Sequence, residues 1–215
     1  MTGKILYDKE KYFENLNNYY KMNYGELIVL TGTALAIGHF SDQRYLIAII
    51  TIFIATWQTW AVHYIMHQDN PLGHLHEYLH HSSISREFWA ISLEAILELL
   101  TISGGWLLAI VIAVKRTYGF YFLNPYIILF WGITFLMVHL IQFHSPGVWD
   151  NTNHAFHHED SQTNMSPDIW DIILKTKYDK SPIVHQQTWP ILLILMVATI
   201  LFMNSKYDAI KYLSK

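Results

Sequence analysis

Histidines at helical spacing are the residues in this sequence whose types and positions point most clearly to chemistry. The stretch 63–81 holds six of the thirteen histidines, and a second cluster of three lies at 154–158. Within the first stretch, His63 and His67 are four residues apart, so on a helix their side chains lie on one face, one turn apart. Two such clusters predict a site that holds metal ions.

The absence of cysteine restricts what kind of metal site this is. The chain has no cysteine, which excludes a thiolate zinc site, a cysteine-ligated iron–sulfur cluster, a cysteine nucleophile and a disulfide framework. Neutral imidazole suits iron, copper, zinc and nickel, and two metal ions would each take about four to five ring nitrogens. Ten histidines are candidate ligands: His63, His67, His76, His80, His81, His139, His144, His154, His157 and His158.

Adjacent histidines can be shared between two metal ions. Consecutive side chains on a helix point about 100° apart, so the pairs His80–His81 and His157–His158 each face two directions. A ligating ring also needs an acceptor for its second nitrogen, which fixes the tautomer. Seven acidic residues are available for that role: Glu77, Glu94, Glu98, Asp150, Glu159, Asp160 and Asp171.

Two of these acids, Glu94 and Glu98, lie one turn apart inside the apolar segment 88–114. Ionisable groups at membrane depth are costly and are usually functional or paired. Two interpretations stay open. The carboxylates support ligand histidines, or they pair with a polar group of a neighbouring helix.

Composition indicates a membrane protein of one domain. Of the 215 residues, 52% are hydrophobic and only 14% are charged, against roughly 25% charged in an ordinary soluble domain. The formal net charge of −3 and the lack of a basic stripe argue against a nucleic-acid partner. The first sixteen residues are too charged for a signal peptide.

The apolar segments predict an all-α integral membrane protein with about four transmembrane helices in two hairpins. The order is an amphipathic N-terminal arm over 1–25, the hairpins over 27–143, a cytosolic helical cap over 144–188 and an apolar C-terminal helix over 189–203. The turn of the first hairpin is expected at 41–44. A bend of the third span is expected at Gly104-Gly105, because paired glycines weaken a helix.

Both hairpins bring their histidines to the same membrane face. The second span ends at His67, the third begins after His81 and the fourth ends at His144. Lys175, Lys177 and Lys180 join the N-terminal lysines on that face, which favours it as cytosolic by the positive-inside rule. The clusters are therefore expected to form one di-metal site just outside the lipid.

The motifs resemble those of the fatty acid hydroxylase / sterol desaturase superfamily of membrane di-metal enzymes. The sequence HYIMH at 63–67 is similar to the first histidine motif, and HHSS at 80–83, with Leu93-Glu94 downstream, is similar to the region after the second. HAFHH at 154–158 is similar to the last motif, and PDIWDIILKT at 167–176 to the Trp-Asp tract that follows it. The resemblance covers residues 50 to 178.

Four positions depart from the pattern of that superfamily. The second motif reads HxxxHH from His76, one residue longer than the usual HxxHH, and His139 and His144 are five residues apart. Ile91-Ser92 stands where many relatives have a histidine, and Leu174-Lys175 replaces the Phe-Gly of the closing tract.

The resemblance implies an enzyme that uses O2 and two iron ions to hydroxylate or desaturate a lipid C–H bond. Zinc is an alternative occupant in purified protein, because both metals accept imidazole. Electrons would arrive from cytochrome b5, a ferredoxin or a reductase. The membrane would be the endoplasmic reticulum in a eukaryote or the inner membrane in a bacterium.

Three alternatives stay open at this point. The first is a carotenoid hydroxylase, whose opening motif is similar but which usually lacks the Trp-Asp tract. The second is a non-catalytic membrane metal-binding protein, with histidines lining a path through the bilayer. The third is a family member without activity. Trp170 and Asp171 are expected to dock the last helix onto the site, whichever alternative holds.

Overall fold

The structure is a computed structural model that describes two long stretches and a few later residues. These are 9–144, 152–177, 193–194, 196–198, 201 and 205. For residues 9, 140–144 and 152–153 the description covers the backbone alone. Every regular element within these ranges is helical, which confirms the predicted all-α class.

The helices follow one another with short connections. In chain order they are α1 (Lys9–Phe40), α2 (Tyr45–Met66), α3 (Pro71–His76) with a π-helical turn directly after it (Glu77–His81), α4 (Phe88–Leu100), α5 (Gly105–Tyr118), α6 (Pro125–His144), α7 (Thr152–Glu159) and α8 (Asp168–Leu174).

Helices α1 and α2 form a close pair joined by the predicted turn at 41–44. Small residues let the backbones approach: a Cβ atom added at Gly38 would lie 2.9 Å from the Cβ of Ala48. The expected division into an arm over 1–25 and a separate apolar leg stays a prediction. Within the described part, the helical run Lys9–Phe40 has a kink at Asn23 (φ −118°, ψ 16°), close to the expected boundary.

Two helical segments are long and apolar enough to cross a membrane. They are Tyr45–Met66, and Phe88–Tyr118 taken across the break between α4 and α5. Large apolar side chains such as Leu46, Phe53 and Ile96 are exposed along them, as lipid-facing residues would be. The apolar part of α6, Pro125–His139, is shorter. Four spans in two hairpins therefore stay a prediction.

The break between α4 and α5 occurs where the sequence predicts a bend. Gly104 has φ +85°, a left-handed conformation that glycine adopts without strain. The break leaves the carbonyl of Ile102 without its helical partner, and α2 replaces that partner. Gln58 Nε2 donates to the oxygen at 2.8 Å and Thr59 Oγ1 donates at 3.0 Å. Irregular backbone at membrane depth needs such internal partners.

Helix α6 lies against this break and is fixed at its start. A Cβ atom added at Gly132 would lie 2.1 Å from the carbonyl oxygen of Ser103, so only glycine fits there. Asn124 caps the helix by accepting from Tyr126 N at 3.0 Å. The Asn124 amide also donates to Ser41 Oγ at 2.8 Å, which ties α6 to the turn between α1 and α2.

The main core lies between α1, α2 and α6, and part of the C-terminal segment joins it. Trp131, Phe130 and Ile127 of α6 are fully buried there. Leu193 and Met196 pack into the same core, and the described residues of the predicted helix 189–203 are helical. Packing on α6 and α2 fixes the helix ends at which the histidines lie.

Candidate metal centre

Nine of the ten candidate histidines converge at one end of the helix bundle. They come from the end of α2, from α3 and the π-helical turn, from α6 and from α7. Neighbouring rings lie with centroids 4.3 to 6.0 Å apart. We call this set the histidine cage: His63, His67, His76, His80, His81, His139, His154, His157 and His158. The side chain of His144, the tenth candidate, lies outside the described residues.

Five members of the cage form a first group around His67. His63, His67 and His157 each offer a ring nitrogen within 4.8 Å of the others, and so do His67, His76 and His81. The two triads share His67, so the five rings surround one volume.

The other four members form a second group. His80, His154 and His158 offer ring nitrogens within 4.8 Å of one another. The ring of His139 lies beside them, with its centroid 4.5 Å from His154 and 4.8 Å from His80. The Nε2 atoms of His154 and His158 are 3.0 Å apart. Two nitrogens bound at right angles to one metal at about 2.1 Å would be about 3.0 Å apart.

Each adjacent histidine pair is divided between the two groups. His81 and His157 lie in the first group, whereas His80 and His158 lie in the second. This division follows from the direction of consecutive side chains on a helix. The cage therefore has two centres, and the ligation of each residue stays a prediction.

The π-helical turn accommodates the extra residue of the second histidine motif. A π-helix closes its turns with i→i+5 bonds, whereas an α-helix uses i→i+4. The wider turn brings His76 and His81, five residues apart, to the same group, with ring centroids 5.3 Å apart. His80 still stacks on His76, with centroids 5.1 Å apart. The HxxxHH spacing is thus compatible with a compact site.

Backbone carbonyls hold the tautomer of two rings in the first group. His63 Nδ1 lies 2.6 Å from Met165 O, and His157 Nδ1 lies 2.6 Å from Thr163 O. A carbonyl only accepts, so Nδ1 carries the proton and Nε2 keeps its lone pair. Both carbonyls belong to the connection between α7 and α8.

Two buried carboxylates fix the tautomer of one further ring in each group. His76 Nδ1 lies 2.6 Å from Glu94 Oε1, and His139 Nδ1 lies 2.6 Å from Glu98 Oε1. All four side chains are at most 4% exposed. Of the two interpretations of these acids, the one in which they support candidate ligands is the one observed.

Several ring nitrogens of the cage have no partner among the described residues. The Nε2 atoms of six cage histidines are buried there without a hydrogen bond: His63, His67, His76, His81, His139 and His157. Buried polar atoms are rarely left unsatisfied. In four of these rings, those of His63, His76, His139 and His157, an acceptor fixes the opposite ring atom, which leaves Nε2 with the free lone pair that iron or zinc requires. The cage therefore fits two such ions.

Burial favours the neutral form of several of the imidazoles, as metal binding needs. Desolvation, with further lowering by His76, His158 and His139, lowers the pKa of His67 to about 3. Desolvation and His139 lower the pKa of His158 to about 4. Desolvation also lowers the pKa of His157 far below its usual value.

Comparison with known families identifies the chain. The profile of the family described as Fatty acid hydroxylase matches residues 47–176, more than half of the sequence. The chain belongs to the fatty acid hydroxylase family. Its activity class is therefore that of a membrane lipid hydroxylase- or desaturase-type oxidoreductase. Searches of curated proteins and of solved structures gave no significant match.

In this member of the fatty acid hydroxylase family, the Trp-Asp tract supports the cage through a loop. Asp171 is fully buried and its carboxylate accepts from Met165 N at 2.9 Å and Ser166 N at 2.8 Å. Trp60 Nε1 and Thr176 Oγ1 also donate to it, at 3.1 and 2.6 Å. Met165 O accepts from His63, and Met165 N donates to Asp171, so Asp171 positions the candidate ligand His63 through the backbone of Met165.

Trp170 docks α8 on α2, as expected. Its indole nitrogen donates to Thr56 Oγ1 at 3.1 Å, and its ring lies edge-on to Phe53, with centroids 4.8 Å apart. The expectation that Trp170 and Asp171 have positioning roles agrees with these contacts.

Other predicted acceptors take no part in the described site. Glu77 and Glu159 are exposed, and Asp150 lies outside the described residues. His74 is exposed and pairs with Asp69 at 2.9 Å. The carbonyls of Met165 and Thr163 take the roles assigned to acids, and backbone acceptors leave no signal in a sequence.

Proposed function

We propose that this protein is a di-iron enzyme that uses O2 to hydroxylate or desaturate a C–H bond of a membrane lipid. The observation that supports the proposal is the division of nine buried or half-buried imidazoles into two adjoining groups, with unpartnered Nε2 atoms among the members of each group. Bound iron would supply the activation of O2, which no amino-acid side chain provides. The first ion would be held by His63, His67, His76, His81 and His157, and the second by His80, His139, His154 and His158, with His144 as a further candidate.

The protein's own residues would prepare this site in two ways. Glu94, Glu98 and the carbonyl of Met165 fix ring orientation and tautomer before any ion arrives. Burial of the cage excludes water, which would otherwise compete for the ions and for the reactive site. Zinc in purified protein would occupy the same nitrogens.

The placement of the cage suits a lipid substrate. His63 lies in the last turn of the apolar helix α2, and His67 directly follows that helix. We propose that this end faces the cytosol, at the endoplasmic reticulum or a bacterial inner membrane. There a cytochrome b5, a ferredoxin or a reductase could deliver electrons.

A metal carrier is less well supported than an enzyme. A path through the bilayer would need histidines at successive depths. His39 is near the far end of α2, about 33 Å from the cage at 1.5 Å per residue, and its Nδ1 lies 3.0 Å from the hydroxyl of Tyr45. Between His39 and His63 the sequence has no histidine. One compact cage favours chemistry over transport.

Lipid mass spectrometry after expression in a host of known lipid content tests the proposal. With isotopically heavy O2, hydroxylation adds one labelled oxygen to the product, whereas desaturation removes two hydrogens without adding label. The control is His74→Ala, which changes an exposed histidine, and the test variant is His157→Ala. We expect the purified protein to contain two metal ions per chain. We also expect cells with His74→Ala to form the oxidised lipid and cells with His157→Ala to form none.

Two results would contradict the proposal. One is purified protein without any bound transition metal. The other is an unchanged lipid profile in cells that contain folded, metal-loaded protein. A labelled carotenoid as the product would favour the carotenoid hydroxylase alternative.

A further inference from the structure

A cavity of about 270 Å³ lies between α1, α2 and α8, with Trp131 of α6 in its wall. This volume is just below the roughly 300 Å³ at which small-molecule sites begin, so it suits one segment of a lipid. The walls are mainly apolar, with Leu30, Ile52 and Ile169 among them. We call it the α1–α2–α8 cavity.

One acidic side chain reaches this apolar space. Glu26 lines the α1–α2–α8 cavity and is only 5% exposed, and its Oε2 atom is buried without a hydrogen-bond partner. A buried carboxyl oxygen left without a partner is costly. The hydroxyl of Thr56, which also lines the cavity, already accepts from Trp170 Nε1 and donates to Phe53 O. Among the described residues that line the cavity, only Glu26 has a buried side-chain oxygen without a partner, so Glu26 is the group that a ligand would satisfy.

The charge of the surroundings decides which ligand suits Glu26. No basic side chain is among the described residues that line the cavity. Lys177, which is fully buried, lies with its Nζ 3.3 Å from Asp168 Oδ2. Desolvation and, to a smaller extent, the charge of Asp168 raise the pKa of Glu26 to about 8, so at neutral pH its carboxyl is mostly protonated and can donate as well as accept. An anionic group beside it would have no counter-charge.

We infer that the α1–α2–α8 cavity binds part of a lipid whose polar group is neutral, a hydroxyl or an amide, through a hydrogen bond to Glu26. A carboxylate or phosphate headgroup is excluded. As a statement about the substrate, this inference rests on the proposed function, because the substrate class follows only if the bound lipid is the one oxidised.

The position of the cavity connects it with the cage. Trp131 forms part of its wall and is followed by Phe135, with ring centroids 6.4 Å apart. Phe135 stacks on His139 with centroids 5.4 Å apart. Two aromatic side chains in series, Trp131 and Phe135, thus lie between the cavity wall and His139, and the three residues span about 12 Å along α6 at 1.5 Å per residue.

Displacement of a fluorescent fatty alcohol from the full-length, metal-loaded protein tests the inference. The competing probes are 1-dodecanol, dodecanamide and dodecanoate at neutral pH. We expect the alcohol and the amide to bind at least about tenfold more tightly than the carboxylate, since a buried unpaired charge is costly. Glu26→Leu should weaken the alcohol by about five- to thirtyfold, the range of a lost buried hydrogen bond.

Three further variants keep the test decisive if Glu26→Leu does not fold. Glu26→Gln should retain both the binding of the alcohol and the discrimination against the carboxylate, because its amide, like the protonated carboxyl, is neutral and both donates and accepts. Leu27→Trp, which fills the cavity, should weaken all three probes. Glu14→Gln, an exposed acid on the same helix, should change none.

Equal binding of the carboxylate and the alcohol by wild type would overturn the inference. Alcohol binding that is unchanged in folded Glu26→Leu, or lost in folded Glu26→Gln, would also overturn it. The proposed function fails separately. If the alcohol binds selectively at Glu26 but no oxidised lipid forms, the proposed enzymatic function is contradicted and the proposed binding site is supported. If oxidised lipid forms but the Glu26 variants have no effect on binding, the binding site is contradicted and the enzymatic function is supported.

Discussion

Removal of the Asp171 carboxylate should weaken the positioning of His63, a candidate ligand to which Asp171 makes no direct hydrogen bond. Asp171 holds the backbone of Met165 and Ser166, and Met165 O in turn holds the ring of His63. Asp171→Ala removes the acceptor of two backbone N–H groups. Trp60 is less affected, because its indole nitrogen also donates to Thr176 Oγ1 at 2.9 Å.

The contacts set the size of the effect. Each buried N–H left without a partner costs about 1–3 kcal/mol, and Ser166 is only partly buried, so water recovers some of its share. A loss of about 2–4 kcal/mol would lower the Tm by roughly 4–16 °C for a chain of this length. Asp171→Asn keeps Oδ1 but places an NH₂ group against Ser166 N, so its effect should be smaller, about 1–3 kcal/mol.

Thermal unfolding in detergent and metal analysis of the same samples give the two readouts. Loss of an outer support commonly costs about 10–100-fold in metal affinity, so the metal content after mild chelation should fall in the order wild type, Asp171→Asn, Asp171→Ala. Asp69→Ala is the matched control, because the Asp69 side chain is 96% exposed. A wild-type Tm and metal content in Asp171→Ala would refute the reasoning.

Three more perturbations follow from the contacts. Glu94→Gln and Glu98→Gln should each weaken metal binding by about 10–100-fold in chelator competition, whereas the exposed control Glu87→Gln should not; equal affinities for all three would contradict the role assigned to the carboxylates. Gly132→Ala should destabilise by about 1–3 kcal/mol or more, since its Cβ would overlap Ser103 O, while Gly32→Ala, with open space around it, should be neutral or stabilising in thermal unfolding. Chelation of the metal should lower the Tm and re-addition should restore it; a Tm that is insensitive to metal would argue against ions in the cage.

Local patterns in the sequence predicted the parts of the structure that depend on neighbouring residues. The turn at 41–44 and the bend at Gly104 follow from interruptions in apolar runs, and both are observed. The histidine pairs follow from helical spacing, and the structure brings nine of the ten candidates together. The sequence indicated a role for Glu94 and Glu98 because ionisable side chains inside an apolar segment are costly and are usually functional or paired.

Features that depend on tertiary contacts could not be predicted. The acceptors for His63 and His157 are backbone carbonyls about 100 and 6 residues away in the chain, and any residue type would supply them. Gln58 completes the hydrogen bonding of a break 44 residues downstream, which no local pattern indicates.

The π-helical turn at Glu77–His81 shows that helix pitch can compensate for an insertion. An added residue in an α-helix would rotate every later side chain by about 100° and take His81 away from its group. The wider π-helical turn compensates for that rotation locally. Tyr78, which lies within this turn, is exposed at the surface. Two chains with different numbers of residues between the histidines of a motif can therefore place the rings in the same arrangement. A comparison of motif spacing alone would miss this structural similarity.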